Sequence, residues 1–214
     1  LAIVCHGVNT SRVFRKQLEA LFGKRVAVRD YSCDEALPET LEGDLVLVST
    51  ASVLDQVRHR IPRMDDVVIS RRSLNYHEVC KLFSFPAGED VLLVNDLRTS
   101  TLEAIGLLRM LGIDHINYHP CYPGCEDYPE LPVAVTPGEC HLVPDCAREI
   151  VDIKTRVLDI TTITDVVTRL GLIEVYGDML SAHHVRDIIA LMQDNARIML
   201  KGTRLQSQQQ AILN

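Results

Sequence analysis

Polar and charged side chains cluster directly after several apolar segments of the chain. Hydroxyl and backbone N–H groups at a helix start can bind an anion, and an arginine fork can hold a carboxylate or phosphate with two hydrogen bonds. Such residues follow the apolar segments at 45–48, 67–70 and 91–94, which we predict to be β-strands. Open α/β sheets usually bind ligands at the carboxyl ends of their strands. The candidate ligand-binding residues are Ser49, Thr50, Arg71, Arg72, Ser73, Asn75, Asn95, Asp96 and Arg98.

A structural role is the alternative for each of these side chains. Serine, threonine, asparagine and aspartate commonly cap helices without binding a ligand. Capping does not explain the adjacent Arg71 and Arg72, for which pairing with a surface acid is the competing interpretation. A further group, His6, Asn9 and Thr10, follows the first apolar segment. The arginine pair is therefore the stronger indication of an anion site.

The second half of the chain carries thiols that could ligate zinc or an iron–sulfur cluster. Three residues separate Cys121 from Cys125 and five separate Cys140 from Cys146, whereas zinc ribbons use closer pairs. Free thiols are the favoured interpretation, and metal or redox chemistry is the alternative that the spacing leaves open. We predict no metal site and no cofactor.

Several chemistries require local motifs that this sequence lacks. It has no Gly-rich phosphate loop followed by lysine, no GxGxxG, no GxSxG nucleophile elbow and no HExxH zinc helix. A phosphoacceptor receiver would need carboxylates where Cys5-His6-Gly7 and Ser49-Thr50 stand. Nucleotide hydrolysis, nicotinamide chemistry, esterase chemistry and phosphoacceptor signalling are therefore disfavoured.

Composition limits the class of protein and its partners. The 214 residues are 47% hydrophobic and 24% charged, which is typical of a folded globular chain. A net charge of −7, 5% aromatic residues and no Trp disfavour direct binding of DNA or RNA. No apolar run approaches the ~20 residues of a membrane-spanning helix, so we expect no membrane partner. Seven cysteines and no secretory leader favour a reducing cytoplasm.

The candidate site residues must be positioned by alternating strands and helices. Strands are predicted at 1–5, 26–28, 45–48, 67–70, 91–94, 116–118, 133–135 and 150–153. Helices are predicted after a cap at Thr10 or Ser11 up to Gly23, at 99–111 and at 160–170. Short apolar strands alternating with amphipathic helices predict an α/β fold of two Rossmann-like, doubly wound, mainly parallel lobes.

The domain organisation follows from this repeat and from the charge distribution. We predict a first lobe at 1–88, a second lobe at 89–180, and an exit helix and linker at 181–214. One continuous sheet is the alternative to two lobes. Residues 1–88 carry a net charge of +1 and residues 89–214 a net charge of −8. A cleft between lobes of unlike charge would orient an anionic ligand towards the first.

The last segment predicts a long helix with a heptad-like seam. Val185, Ile189, Met192, Ala196 and Met199 alternate steps of four and three residues. The seam serves equally for packing on its own domain and for pairing with a second copy. Because the chain starts at a leucine and ends in a polar, Gln-rich stretch, we expect it to be a fragment of a longer protein.

Four segments, 67–73, 91–97, 136–138 and 159–162, carry a resemblance to a known family. They resemble the N-terminal sensory region of sigma-54-dependent, NtrC-type bacterial transcriptional regulators and are similar to the propionate-type input domain. The likeness implies two Rossmann-like lobes that sense a small molecule in their cleft, and downstream ATPase and DNA-binding domains as partners. Propionate-type members carry a Gly-rich turn after Ile-Ser-Arg, where this chain has Arg72 and Ser73, which implies a different ligand.

The leading hypothesis is a cytoplasmic ligand-sensing input domain that binds a small anionic metabolite between its lobes and is not an enzyme. The alternative is a small α/β enzyme with a carboxylate site or a cysteine paired with His6 or His119. A third interpretation is an interaction and dimerisation module without a ligand.

Overall fold

A computed structural model describes residues 1–182, 185–186, 189–190 and 192–193. Contacts divide the chain into two units, Leu1–Val166 and Val167–Asn214. Within the described residues the strands are β1 (Ala2–Cys5), β2 (Arg29–Ser32), β3 (Val46–Val48), β4 (Val67–Ile69), β5 (Arg72–Ser73), β6 (Asp90–Val94), β7 (Asn117–Cys121), β8 (Val133–Thr136), β9 (Glu149–Asp152) and β10 (Val157–Leu158). The α-helices include α1 (Val8–Phe22), α2 (Ala51–Val57), α3 (Tyr76–Val79), α4 (Arg98–Met110) and α5 (Ile160–Arg169), and a further helix begins at residue 173.

The first sheet has four parallel strands in the order β2-β1-β3-β4. All residues of β1 and β3 are buried, as near-continuous apolar strands predict for a parallel sheet covered on both faces. Val53 and Val57 of α2 pack into a core with strand residues. α1 ends at Gly23, whose φ of 58° suits glycine. The buried residues of α1 include Phe14, Leu18, Leu21 and Phe22.

The second sheet repeats this arrangement in the order β7-β6-β8-β9, again with all strands parallel. One core contains Val91 and Leu93 of β6 together with Ile105 and Leu108 of α4. A second core packs Leu92 and Val94 of β6 against loop residues. These two sheets confirm the predicted α/β class with mainly parallel strands.

A short antiparallel pair of strands links the segment after the second sheet to the segment after the first sheet. β10 pairs with β5, with Leu158 opposite Arg72. The Gln17 side chain of α1 also holds Leu158, because its Nε2 donates to the Leu158 carbonyl and its Oε1 accepts the Leu158 N–H. Thr162 binds the backbone N–H and carbonyl of Arg71. Segments 67–73 and 159–162 are therefore in contact.

Three sequence-based boundaries were wrong. α1 begins at Val8 after an N-cap at Gly7, and the predicted cap Ser11 lies inside the helix with its hydroxyl bonded to the Val8 carbonyl. β2 occupies Arg29–Ser32 instead of 26–28, because an edge strand is half exposed and lacks a continuous apolar run. The helix predicted from Ser181 already includes residues 173–182.

The predicted domain boundaries at 88 and 180 stay predictions. The first sheet uses residues 2–69 and the second uses 90–152, and both lie in the unit Leu1–Val166. In the unit Val167–Asn214, Val185, Ile189 and Met192 of the predicted seam are exposed. Ala196 and Met199 lie outside the described residues.

Candidate functional site

A cavity of about 760 Å³ lies at the carboxyl ends of β1, β3, β6 and β8. In each sheet the two neighbouring strands, β1 with β3 and β6 with β8, mark the point where strand order reverses, which is where open α/β sheets bind ligands. The volume suits a small molecule. The lining residues are His6, Gly7, Val8, Asn9, Thr10, Asp34, Ser49, Thr50, Ala51, Ser52, Arg72, Asp96, Leu97, Thr99, Ser100, Glu103, Glu139 and His141.

Two helices start at this cavity without a side-chain cap. The N-cap of α1 is Gly7 and that of α4 is Leu97, and neither helix has an acidic residue in its first turn. Their first N–H groups therefore leave positive partial charge at the cavity. Thr50 differs, because its Oγ1 accepts the N–H of Val53 at 3.2 Å and so caps α2. This is the structural role that the sequence left as the alternative to ligand binding.

Two arginines and one glutamate form the most buried ionic group of the site. Arg72 Nη2 and Arg156 Nη1 donate to the same oxygen, Glu103 Oε2, at 2.9 and 2.6 Å. The arginine side chains are 14% and 6% exposed, whereas the Glu103 side chain is 44% exposed. Burial and the neighbouring charge of Arg156 lower the pKa of Arg72, although Glu103 and Asp96 act in the opposite direction. The two cations are thus desolvated and share one carboxylate oxygen.

Asn95 supplies an unused donor beside this group. It directly follows β6 and is 4% exposed. Its Oδ1 accepts the N–H of Asp96 at 2.9 Å, which fixes the amide plane. Its Nδ2 is buried without a hydrogen-bond partner, and Asn95 lines a smaller pocket together with Arg72 and Arg156. A buried amide N–H without a partner costs free energy unless an acceptor occupies the pocket.

The carboxylates of Asp96 and Glu139 line the same smaller pocket, which has a volume of about 40 Å³. Burial raises the pKa of Glu139, and the charge of Asp96 raises it further, so the two carboxylates are close enough to repel each other. The nearby His141 lowers that pKa; its Nδ1 lies 3.7 Å from Glu139 Oε2. The pocket therefore combines guanidinium donors at one part of its wall with acceptors at another.

A glycine allows the two sides of the smaller pocket to approach closely. Gly138 has a φ of +102°, and a Cβ placed there would lie 2.9 Å from Thr155 Oγ1. The following Glu139 donates its N–H to Thr136 Oγ1 at the end of β8. Glycine at this position lets Glu139 lie near the segment that carries Arg156.

The structure brings together five of the nine predicted site residues. Ser49, Thr50, Arg72 and Asp96 line the large cavity, and Asn95 lines the smaller pocket. Four others line neither pocket: Arg71, Ser73, Asn75 and Arg98. Arg71 is exposed and contributes its backbone to Thr162, and the Ser73 hydroxyl pairs with the Tyr76 hydroxyl at 2.8 Å.

Sequence reasoning missed Arg156, Glu103 and Glu139. Arg156 lies in a polar segment before a strand of only two residues, which gives no periodic signal. Glu103 lies inside α4 and has the pattern of an ordinary exposed helix residue. Glu139 follows β8 and could have been found by the strand-end rule that identified Asn95.

The cysteine thiols of this structure differ in burial, since Cys5 and Cys121 are buried and Cys140 is exposed. All seven cysteines, which lie within the described residues, are free. Burial raises the pKa of Cys5 to about 12, and a hydrogen bond with Ser49 offsets part of this effect. A thiol that stays protonated is a poor nucleophile. Within the described ranges, no group of three His, Cys, Asp or Glu residues could hold a metal ion.

Comparison with known proteins gives no relative: no family model, curated protein or solved structure matches the chain. In the described part of the chain, no helix is long and apolar enough to cross a membrane. The site geometry is therefore the basis for any functional conclusion.

Proposed function

We propose that this protein binds a small molecule bearing a carboxylate or phosphate group in the cavity at the strand ends. One observation carries the proposal: two buried guanidinium groups share a single oxygen of Glu103 beside the unpartnered Nδ2 of Asn95. Each guanidinium has five N–H donors, and the bond to Glu103 uses one donor of each. An anion at this position would accept hydrogen bonds from Arg72, Arg156 and Asn95 together.

We further propose that binding serves a sensory role in a cytoplasmic regulator of the sigma-54-dependent type. The support is that the smaller pocket is lined from three places: the end of β6 in the second sheet, the β5–β10 pair, and Thr10 of α1 beside the first sheet. A ligand that contacts all three elements would stabilise the conformation of the protein in which those contacts are complete. The difference in ligand affinity between two conformations sets how far the equilibrium between them shifts. Downstream ATPase and DNA-binding domains would then receive that shift.

The test uses two adjacent arginines as a matched pair. Arg72→Ala removes a cavity donor, whereas Arg71→Ala removes an exposed side chain of the same type that lines neither pocket. Thermal shift and calorimetry with acetate, succinate, citrate and inorganic phosphate should detect binding to the wild type and to Arg71→Ala. Because charge-assisted hydrogen bonds contribute about 1.5–3 kcal/mol each, Arg72→Ala should weaken the binding of these anions about tenfold or more. Equal stabilisation of both variants would refute the anion site.

A second candidate function is proton-transfer catalysis, and one contact favours it. His6 Nδ1 lies 3.6 Å from Asp34 Oδ1, and both residues line the large cavity. A carboxylate beside an imidazole can orient it as a general base. Turnover in a broad substrate screen that is lost in His6→Gln would favour an enzyme, and binding without turnover would favour the sensor.

A further inference from the structure

We propose that the ligand of this cavity is a small amino acid, held with its carboxylate at Arg72 and Arg156 and its ammonium group at Asp96 and Glu139. The inference rests on the proposed anion site and deepens it. It commits to a zwitterion as opposed to a simple acid.

The charges around the smaller pocket support a zwitterion. Its wall carries two guanidinium groups and the carboxylates of Asp96 and Glu139, and beside them lies the Glu103 carboxylate that the arginines share. With all five groups ionised, negative charge is in excess by one. A plain anion would add to that excess, whereas a zwitterion adds no net charge and still supplies a carboxylate to the arginines.

The placement of the carboxylates gives the ammonium group its position. Asp96 lies close enough to Arg72 to influence its pKa, and also close enough to Glu139 to raise the pKa of that carboxyl. The cationic and anionic parts of the wall are thus adjacent. An ammonium group between Asp96 and Glu139 would donate to both and relieve their repulsion.

The unpartnered donor of Asn95 is the independent sign of a ligand in this pocket. Asn95 is 4% exposed and its Nδ2 has no partner, while its neighbour Asp96 forms part of the acidic wall. A carboxylate held by the arginines would offer an oxygen to this amide. One head group can then satisfy the buried donor and the repelling carboxylates together.

The sizes of the two pockets fit this assignment. The smaller pocket, about 40 Å³, has room for roughly three water molecules, which is the scale of an amino-acid head group. It shares Thr10, Arg72, Asp96, Ser100 and Glu139 with the wall of the large cavity. The side chain of the ligand can therefore extend into the larger volume.

The existing contact of Glu139 with His141 does not compete strongly with an ammonium group. The imidazole Nδ1 lies 3.7 Å from the carboxylate, and 72% of the His141 side chain is exposed. That distance is longer than a hydrogen bond, so the carboxylate keeps capacity for a closer donor.

The test compares ligands that differ in a single group. L-alanine, L-lactate and propionate form one series, and L-aspartate, L-malate and succinate form another; each is titrated calorimetrically into the whole chain at neutral pH. We expect at least one amino acid to bind about tenfold or more tightly than the hydroxy and unsubstituted acids of its series. Glu139→Gln and Asp96→Asn should each remove that preference, whereas Glu149→Gln, at an exposed residue of β9, should preserve it.

The outcomes separate this inference from the proposed function. If the unsubstituted or hydroxy acids bind as tightly as the amino acids, or if Glu139→Gln and Asp96→Asn leave the preference intact, the zwitterion is wrong and the anion site stands. If no acid of either series binds and acetate, succinate, citrate and phosphate also fail, both the zwitterion and the anion site are wrong.

Discussion

Arg72 and Arg156 both line the smaller pocket, and their guanidinium groups are bonded to the same oxygen of Glu103. The pairing follows from the backbone, because Arg72 begins β5 and Arg156 directly precedes β10, its antiparallel partner. Two positive charges bonded to one oxygen are close together, so they repel each other when water is excluded. Glu103 compensates them within the chain, and an anionic ligand would compensate them further.

Glu103→Gln should therefore destabilise the fold and leave the two arginines dependent on an external anion. We expect the free energy of unfolding to fall by about 1–2 kcal/mol, less than for a fully buried pair because the Glu103 side chain is 44% exposed. Inorganic phosphate should restore part of the loss, since an anion that binds only the folded state stabilises it.

Urea unfolding with and without phosphate measures both effects. Glu149→Gln, an exposed glutamate on β9 that lines neither pocket, controls for the general loss of one negative charge. The shared-carboxylate account fails if Glu103→Gln and Glu149→Gln have the same stability and the same response to phosphate.

Gln17 positions the strand next to Arg156, and replacing it should loosen this strand. Its side chain satisfies both the N–H and the carbonyl of Leu158, at 2.8 and 2.9 Å. Gln17→Leu leaves two partly buried backbone groups without partners, so we expect a loss of about 1–3 kcal/mol in the free energy of unfolding.

Amide hydrogen exchange at Leu158 is the local readout for this prediction. Exchange should become faster in Gln17→Leu, while Gln17→Glu, which keeps the acceptor but loses the amide donor, should be intermediate. Unchanged protection of the Leu158 amide in Gln17→Leu would show that β5 alone holds β10 in place.

The fold was predictable wherever a segment carries a periodic or continuous apolar pattern. β1, β3, β6 and α4 were located within about two residues because burial on both faces, or on one helix face, requires such a pattern. β2 was misplaced because an edge strand is only partly buried and its residues alternate irregularly.

The site was predictable only where it depends on the strand ends. Asn95 and Asp96 follow β6 directly, so the general rule for parallel sheets placed them at the cavity. The rule could not distinguish Arg71 from Arg72, because the direction of each side chain is set by the pairing of β5 with β10. Arg156 could not be predicted for the same reason, since a two-residue strand exists only through its tertiary partner.

Cys5 should be inert in the folded protein, unlike Cys140. Cys5 is fully buried, and its pKa is raised by burial from an ordinary value of 9.0 to about 12, so almost none of it is thiolate near neutral pH. Burial also raises the pKa of Cys140, but this residue is exposed to reagents. Because the folded state holds the Cys5 proton more tightly than the unfolded chain does, the contribution of Cys5 to stability declines as the pH rises from about 9 towards 12.

Iodoacetamide labelling followed by peptide mass spectrometry measures this difference in reactivity. At pH 8 Cys140 should be alkylated in the native protein and Cys5 should not, and both should react in concentrated guanidinium chloride, which is the control for reagent access. Alkylation of native Cys5 at a rate close to that of Cys140 would mean that its thiolate is accessible beside His6. The Cys–His form of the enzyme hypothesis would then be favoured, because a reactive thiolate is what such a pair requires.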